Sequence, residues 1–218
     1  MTLVRNYYKI NNVLKEEYYE TNGKKDGQHK SYHKNGKLSK IYNYVDGNLH
    51  GEYSSYYDNG QLCTICTYID GKMHGEYKSY HKNGQLRLIC NYIQGKLQGE
   101  LKSYHEGGEL WEIYNFVDDN RHGECKSYHA NGQLYDICNY NYGKKNSEHK
   151  FYYDSGQLFD ICNYIDDRRH GEHKRYYKNG QLWEIYNYEY GREQGEYRKY
   201  DINGTLLETR NYDRGFLS

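Results

Sequence analysis

Glycine returns in this sequence with a period of 24 residues and no insertion or deletion, at Gly36, Gly60, Gly84, Gly108, Gly132, Gly156, Gly180 and Gly204. Two further series keep the same phase. One runs Gly27, Gly51, Gly75, Gly99, Gly123, Gly171 and Gly195, with Ser147 in the gap; the other runs Gly23, Gly47, Gly71, Gly95, Gly143, Gly191 and Gly215, with Asp119 and Asp167 as substitutes. The unit reads G-E-Y-K-S-Y-H-K-N-G-Q-L-x-x-I-C-N-Y-x-x-G-K-x-H. A unit this short cannot bury its own apolar face, so stacking on its neighbours must supply the core.

Each unit reads as two strands, for instance residues 76–81 and 85–92, joined at Asn83-Gly84, a strong short hairpin signal. The link to the next unit, Ile93-Gln94-Gly95-Lys96, is also turn-like. The composition agrees: 31 tyrosines, 23 glycines and no proline suit pleated strands and tight turns rather than a disordered chain. Short connections make successive strands antiparallel. The expected fold is all-β, an elongated twisted antiparallel meander of tandem 24-residue hairpins with about 17 strands. The expected organisation is a single array over residues 1–218. Residues 1–23 form a degenerate capping unit, with Tyr8 matching Tyr32, Asn11 matching Asn35 and Leu14 matching Leu38; residues 24–215 hold eight repeats, and 216–218 are a tail.

The expected core is a set of columns. They are the tyrosines from Tyr32 to Tyr200, the leucines from Leu38 to Leu206, the isoleucines from Ile41 to Ile185, and the series Tyr44, Tyr68, Tyr92, Phe116, Tyr140, Tyr164, Tyr188 and Tyr212. Loop length decides which columns share a face, because a one-residue slip swaps the faces. A two-residue loop puts Tyr80 with Ile89. A three-residue loop puts Tyr80 with Leu86, Cys90 and Tyr92, and is favoured because it gathers three columns on one side.

Charge and motifs narrow the function. Lys plus Arg and Asp plus Glu number 30 each, so no basic excess points to nucleic acid. No apolar stretch near the start is long enough for a signal peptide, and no window approaches the roughly 20 apolar residues of a membrane span. The expectation is a soluble, intracellular, cytoplasmic protein. No phosphate-binding loop, dinucleotide fingerprint or nucleophile elbow occurs. The repeat multiplies one carboxylate without an asymmetric pocket, so no catalytic residues, no cofactor and no enzyme activity are expected.

Histidine columns (His50, His74, His122, His170 and His33, His81, His105, His129) and a cysteine column (Cys66, Cys90, Cys138, Cys162) raise the question of metal. Members of one column lie two strands apart, roughly 9–10 Å. Zinc ligands each lie about 2.0–2.3 Å from one ion, and disulfide Cα atoms lie within about 7 Å of each other. One column therefore builds neither, and no metal site is expected. Cys125 is a separate case: it faces Cys138 with a two-residue loop and Ile137 with a three-residue loop, and an intracellular setting opposes the bond. The Glu and Lys columns, such as Glu76 and Lys78, sit at i and i+2 on one face and read as a solvated charged stripe or a partner surface.

One column changes character along the chain. Ser39, Cys63 and Arg87 give way to Trp111, Tyr135, Phe159 and Trp183. Packing explains such a change, and so does an exposed aromatic stripe for a partner, since aromatic anchors are typical of binding hot spots. These four residues are the candidate partner-binding site.

The stretch Tyr68-x-x-Gly71-Lys72-x-His74-Gly75-Glu76 resembles a MORN repeat, and the run through Tyr80-His81-Lys82-Asn83-Gly84-Gln85-Leu86 is more similar to the MORN-variant repeat of antitoxin-type proteins. Similar arrays occur in proteins of large DNA viruses of protists, which would place this chain in a host cytoplasm. The resemblance implies a hairpin meander, protein–protein contact and no catalysis by the repeats. Tyr77 stands where ordinary MORN repeats have a second glycine, which weakens transfer of lipid binding. The expected function is a scaffold for an unknown protein partner. The rival readings are a peripheral membrane or lipid-binding module, and an antitoxin-like partner of a toxin. Open strand edges would also permit end-to-end self-association.

Overall fold

The computed structural model describes residues 1–10 and 12–218; the match of Asn11 to Asn35 lies outside the described residues. The chain divides into two compact units, Met1–Glu109 and Leu110–Ser218. Both are built from antiparallel strands, each paired with a near neighbour in sequence, and no helix occurs among the described residues. In the first unit Thr2–Tyr7 pairs with Leu14–Thr21, so the degenerate first repeat is itself a hairpin. At the other end of the chain Phe216–Leu217 pairs back onto Tyr212 and Asp213.

Within a repeat, Gly75–Tyr80 pairs with Leu86–Ile93. His81 N donates to Gln85 O at 2.8 Å and Gly84 N to His81 O at 2.9 Å, which closes the loop. Tyr80 faces Leu86, as the three-residue loop requires. The register then shifts between Ser79 and Tyr80, and Ser79 faces Leu88, Lys78 faces Ile89 and Tyr77 faces Cys90. The strands therefore run mostly in the two-residue register, with Arg87 as the extra residue of a β-bulge. That corrects the favoured loop: Tyr80, Leu86 and Ile89 share one face, while Cys90 and Tyr92 join Tyr77 and Ser79 on the other. The bulge inserts one residue into one strand only, so it reverses the faces partway along the hairpin.

The link between repeats uses a two-residue turn. Asp70 and Gly71 have φ of 48° and 78°, the primed turn whose twist suits a hairpin. Tyr68 then faces Met73, but Ile65 faces Lys78, and a second bulge at Gly75 (φ 85°) takes up the difference.

Within each unit, neighbouring repeats are stapled along both edges. At the link edge Gly71 N donates to Leu49 O at 2.8 Å and Gly95 N to Met73 O at 2.7 Å. At the hairpin edge His33 Nε2 donates to Tyr56 O, the Tyr57 hydroxyl to Tyr80 O, and His81 Nε2 to Tyr104 O, at 2.7–2.9 Å. The second unit repeats this with His129, Tyr153 and Tyr177. Asn83 Nδ2 donates to Glu106 O at 2.7 Å while its Oδ1 accepts from Gln85 N. One histidine column is thereby a set of inter-repeat staples.

The core also departs from expectation. The isoleucine and leucine columns are mostly half-buried. Apart from Ser54, which faces Ile65, the deepest side chains belong to the opposite face: Cys66, Cys90, Cys125, Cys138, Cys162, Tyr197, His29, His149 and His173. The reason is the bulge, which turns the cysteine column onto the face where the tyrosine and histidine rings of neighbouring strands stack, as in Tyr18–His29–Tyr42–Tyr53 at 4.7–5.4 Å between centroids.

Candidate functional site: a buried carboxylate, thiol and imidazole row

On the buried face each second strand presents residues x and x+2, and the first strand of the next repeat brings x+13 against them. The pairings Tyr18↔His29, Tyr42↔Tyr53 and Cys162↔His173 show the rule directly. Along the chain these triplets are Glu16, Tyr18, His29; Lys40, Tyr42, Tyr53; Thr64, Cys66, Tyr77; and Leu88, Cys90, Leu101. The second unit continues with Glu112, Tyr114, Cys125; Asp136, Cys138, His149; Asp160, Cys162, His173; and Glu184, Tyr186, Tyr197. In the first unit the triplets carry charge at Glu16 and Lys40 and are almost apolar at Leu88; in the second every triplet holds a carboxylate.

Two of these triplets hold three metal-binding donor types each. In both Asp136, Cys138, His149 and Asp160, Cys162, His173, one ligand atom from each residue lies within 4.8 Å of the others. His149 Nε2 donates to Asp136 Oδ2 at 3.0 Å, and Lys145 Nζ stands 3.4 Å from His149 Nδ1. The Ser127 hydroxyl donates to the other carboxylate oxygen of Asp136. In the second triplet His173 Nε2 donates to Asp160 Oδ2 at 2.7 Å. Arg175 bridges Asp160 and Glu184 at 3.1 and 3.3 Å. His173 is 1% exposed and its Nδ1 has no hydrogen-bond partner.

The electrostatics separate the groups. Burial works against ionising Asp136 and Asp160, but the hydrogen bonds and charge from His149 and Ser127, and from His173 and Arg175, outweigh it and hold both carboxyls below the usual range. Burial, with the nearby Asp136 charge, pushes the Cys138 thiol up to about 12. Burial and Asp160 likewise raise Cys162. The ground state is a carboxylate beside a protonated thiol.

Sequence reasoning missed this row because it tested one column at a time. The spacing Asp-x-Cys followed by His thirteen residues after the Asp occurs at Asp136 and again at Asp160, but its meaning depends on the register. Of the columns considered, the cysteine column supplies Cys138 and Cys162 to the row, and the two histidine columns lie elsewhere. The rings of His122 and His170 lie against Tyr142 and Tyr190 at 4.7 and 4.9 Å. Cys125 does face Cys138, as the two-residue register requires, and both are free thiols.

The aromatic column sits at the bulge. Trp111 and Tyr135 are 47% and 44% exposed. Phe159 and Trp183 are half-buried against Tyr153 and Tyr177, with centroids at 5.0 and 5.6 Å. The charged stripe forms as i, i+2 pairs on the opposite face, Lys78–Glu76 at 2.5 Å and Lys102–Glu100 at 2.6 Å among them.

Comparison with known proteins gives one family. The model of the MORN repeat variant matches residues 25–46, 49–70, 73–94, 97–118, 121–142, 145–166 and 169–190. No curated protein matches the chain. Among solved structures, it is similar to a GtfA/B complex bound to UDP and GlcNAc (19% identity, 52% of this chain and 22% of that one, TM-score 0.23). It is also similar to an alternansucrase in complex with isomaltononaose (13%, 98% and 16%, TM-score 0.25) and a porin-like protein from Bacteroides uniformis (11%, 93% and 91%, TM-score 0.21). The chain spans 22% and 16% of the first two.

Proposed function

Because this chain belongs to the MORN repeat variant family, we propose that it is a non-catalytic scaffold that binds a protein partner inside the cell through the aromatic column of its second unit. The observation that carries this reading is the exposure of Trp111 and Tyr135, 47% and 44%. Both rings stand at the bulge with almost half of their surface open, where a partner can cover them, although Tyr135 also packs edge-on against His129 and Phe151. Large, stiff aromatic rings lose little entropy on docking and anchor interfaces. Two further observations agree. The acid, base and thiol groups of Asp160, His173 and Cys162 are 6%, 1% and 2% exposed, out of a substrate's reach. All six cysteines are free, which suits a reducing compartment.

The test is a photo-crosslinking residue placed at position 135 in cells of the native host. It should capture one protein reproducibly, and Trp111→Ala should weaken binding of that protein about thirtyfold or more, as a hot spot does. Lys102→Ala should leave binding unchanged. If Trp111→Ala has no effect, the column is packing. Liposome co-sedimentation tests the rival lipid-binding reading, and sedimentation with vesicles of anionic lipid would favour it.

A further inference from the structure

We propose that the two carboxylate–thiol–imidazole triplets, Asp136, Cys138, His149 and Asp160, Cys162, His173, each bind one zinc-class divalent cation within the sheet. Oxygen, sulfur and nitrogen donors within 4.8 Å of one another form the mixed set that a borderline-soft ion such as zinc accepts. Around a tetrahedral ion with bonds of about 2.0–2.3 Å, donors are separated by about 3.4–3.8 Å, so side-chain adjustments of about an ångström bring either triplet into range. The thiol proton leaves to solvent as the sulfur becomes a thiolate, and the imidazole stays neutral as its Nε2 proton is given up to solvent and Nδ1 takes one, which at His149 requires the Lys145 ammonium, 3.4 Å from Nδ1, to turn away. One carboxylate and one thiolate then neutralise the dication, which matters for residues that are 1–6% exposed, as Cys138, Cys162, Asp160 and His173 are.

The other repeats act as internal comparisons. In two triplets with a middle tyrosine the carboxylate is the longer glutamate and accepts from hydroxyls, Tyr114 to Glu112 at 2.9 Å, and Tyr186 and Tyr197 to Glu184 at 3.2 Å; a third, Lys40 with Tyr42 and Tyr53, has no carboxylate. His29 pairs with Glu16 at 3.3 Å with Tyr18 in place of a thiol. The change of middle residue to cysteine coincides with histidine in the third place and with the shorter aspartate in two consecutive repeats only. A carboxylate–histidine pair thus also occurs without a thiol, at Glu16 and His29, and the thiol that completes a donor set is specific to these two.

The carboxylates are held for the task, by Ser127 on Asp136 and by Arg175 on Asp160. His149 faces Cys162 on the strand between the two triplets, and Cys125 faces Cys138 at the outer end. Cys125 is thereby a neighbouring donor of the first set, while His149 belongs to the first set and separates it from the second.

The test uses the full chain without a polyhistidine tag, reduced and stripped with chelator, then titrated with cobalt(II) alone and with zinc(II) alone. The expected result is two equivalents bound per chain with thiolate-to-cobalt charge-transfer absorption that zinc abolishes. Cys138→Ser and Cys162→Ser should each remove one equivalent and the double variant both, while Cys90→Ser, from a triplet that offers no carboxylate or imidazole, should keep both. Asp136→Asn and Asp160→Asn supply the same test if a serine variant fails to fold. Absence of stoichiometric binding by the native chain overturns the proposal. So does binding that survives in the double variant, or a native stoichiometry of one equivalent that either cysteine variant alone abolishes.

Discussion

Ser147 holds φ 78° at the position where Gly123, one repeat earlier, holds φ 85°. This is the bulge that lets the link strand rejoin the sheet, and an L-residue there costs about 1–2 kcal/mol. A Cβ built on Gly123 would meet nothing within 4 Å, so the penalty lies in the backbone alone. Ser147→Gly should therefore stabilise the protein by about 1 kcal/mol, and Gly123→Ser should destabilise it by about as much. Urea unfolding checks both as opposite shifts of the midpoint with little change of slope.

The edge staples predict a cost for losing one hydroxyl. Tyr153 donates to Tyr176 O at 2.8 Å, while its ring packs on Phe159. Tyr153→Phe keeps the ring contact and removes the bond, leaving a carbonyl without its donor. The expected loss is about 0.5–1.5 kcal/mol, read as a lower unfolding midpoint.

Thiol reactivity should be sharply divided. Cys66, Cys90, Cys125, Cys138 and Cys162 are buried, and Cys63 is half-buried. Burial raises Cys66 and Cys90 to about 11 and Cys138 to about 12, and thiolate is the reactive form. A chromogenic disulfide reagent should titrate Cys63 in the native protein and the remaining thiols only on unfolding. Fast native reaction of a second thiol would contradict the packing described above.

His29 sets a pH dependence. Burial and the neighbouring Lys25 ammonium lower its basicity, against the upward pull of Glu16. The unfolded chain takes up this proton near pH ~6.5, while the folded chain resists it. Between that pH and the lower folded value the unfolded state holds more protons, so stability falls as pH falls through this window and levels off below it. His29→Tyr, which copies Tyr53 and Tyr77 of the same column, should flatten this part of the stability profile relative to the native chain. A parallel profile would show that His29 does not contribute.

The repeat, the all-β class, the hairpin at each Asn-Gly and the link turn at each Asp-Gly or its substitutes were legible in the sequence, because all of these are local: a fixed period, a residue type that tolerates positive φ, and strand-forming residues between turns. The aromatic column was legible for the same reason, as a change within one register position from Arg87 to Trp111. Partnership between columns was not. Tyr80 faces Leu86, yet Tyr77 faces Cys90, and no local signal places the extra residue at Arg87. That single bulged residue decides which side chains are buried. It puts the cysteine column under the neighbouring rings and leaves the isoleucine column half-buried. It also sets Asp136 and Cys138 against His149, thirteen residues from the Asp. The local pattern specifies each strand, whereas pairing between strands is a tertiary property in which a shift of one residue exchanges the faces of the sheet, so the buried triplets exist only in the folded protein.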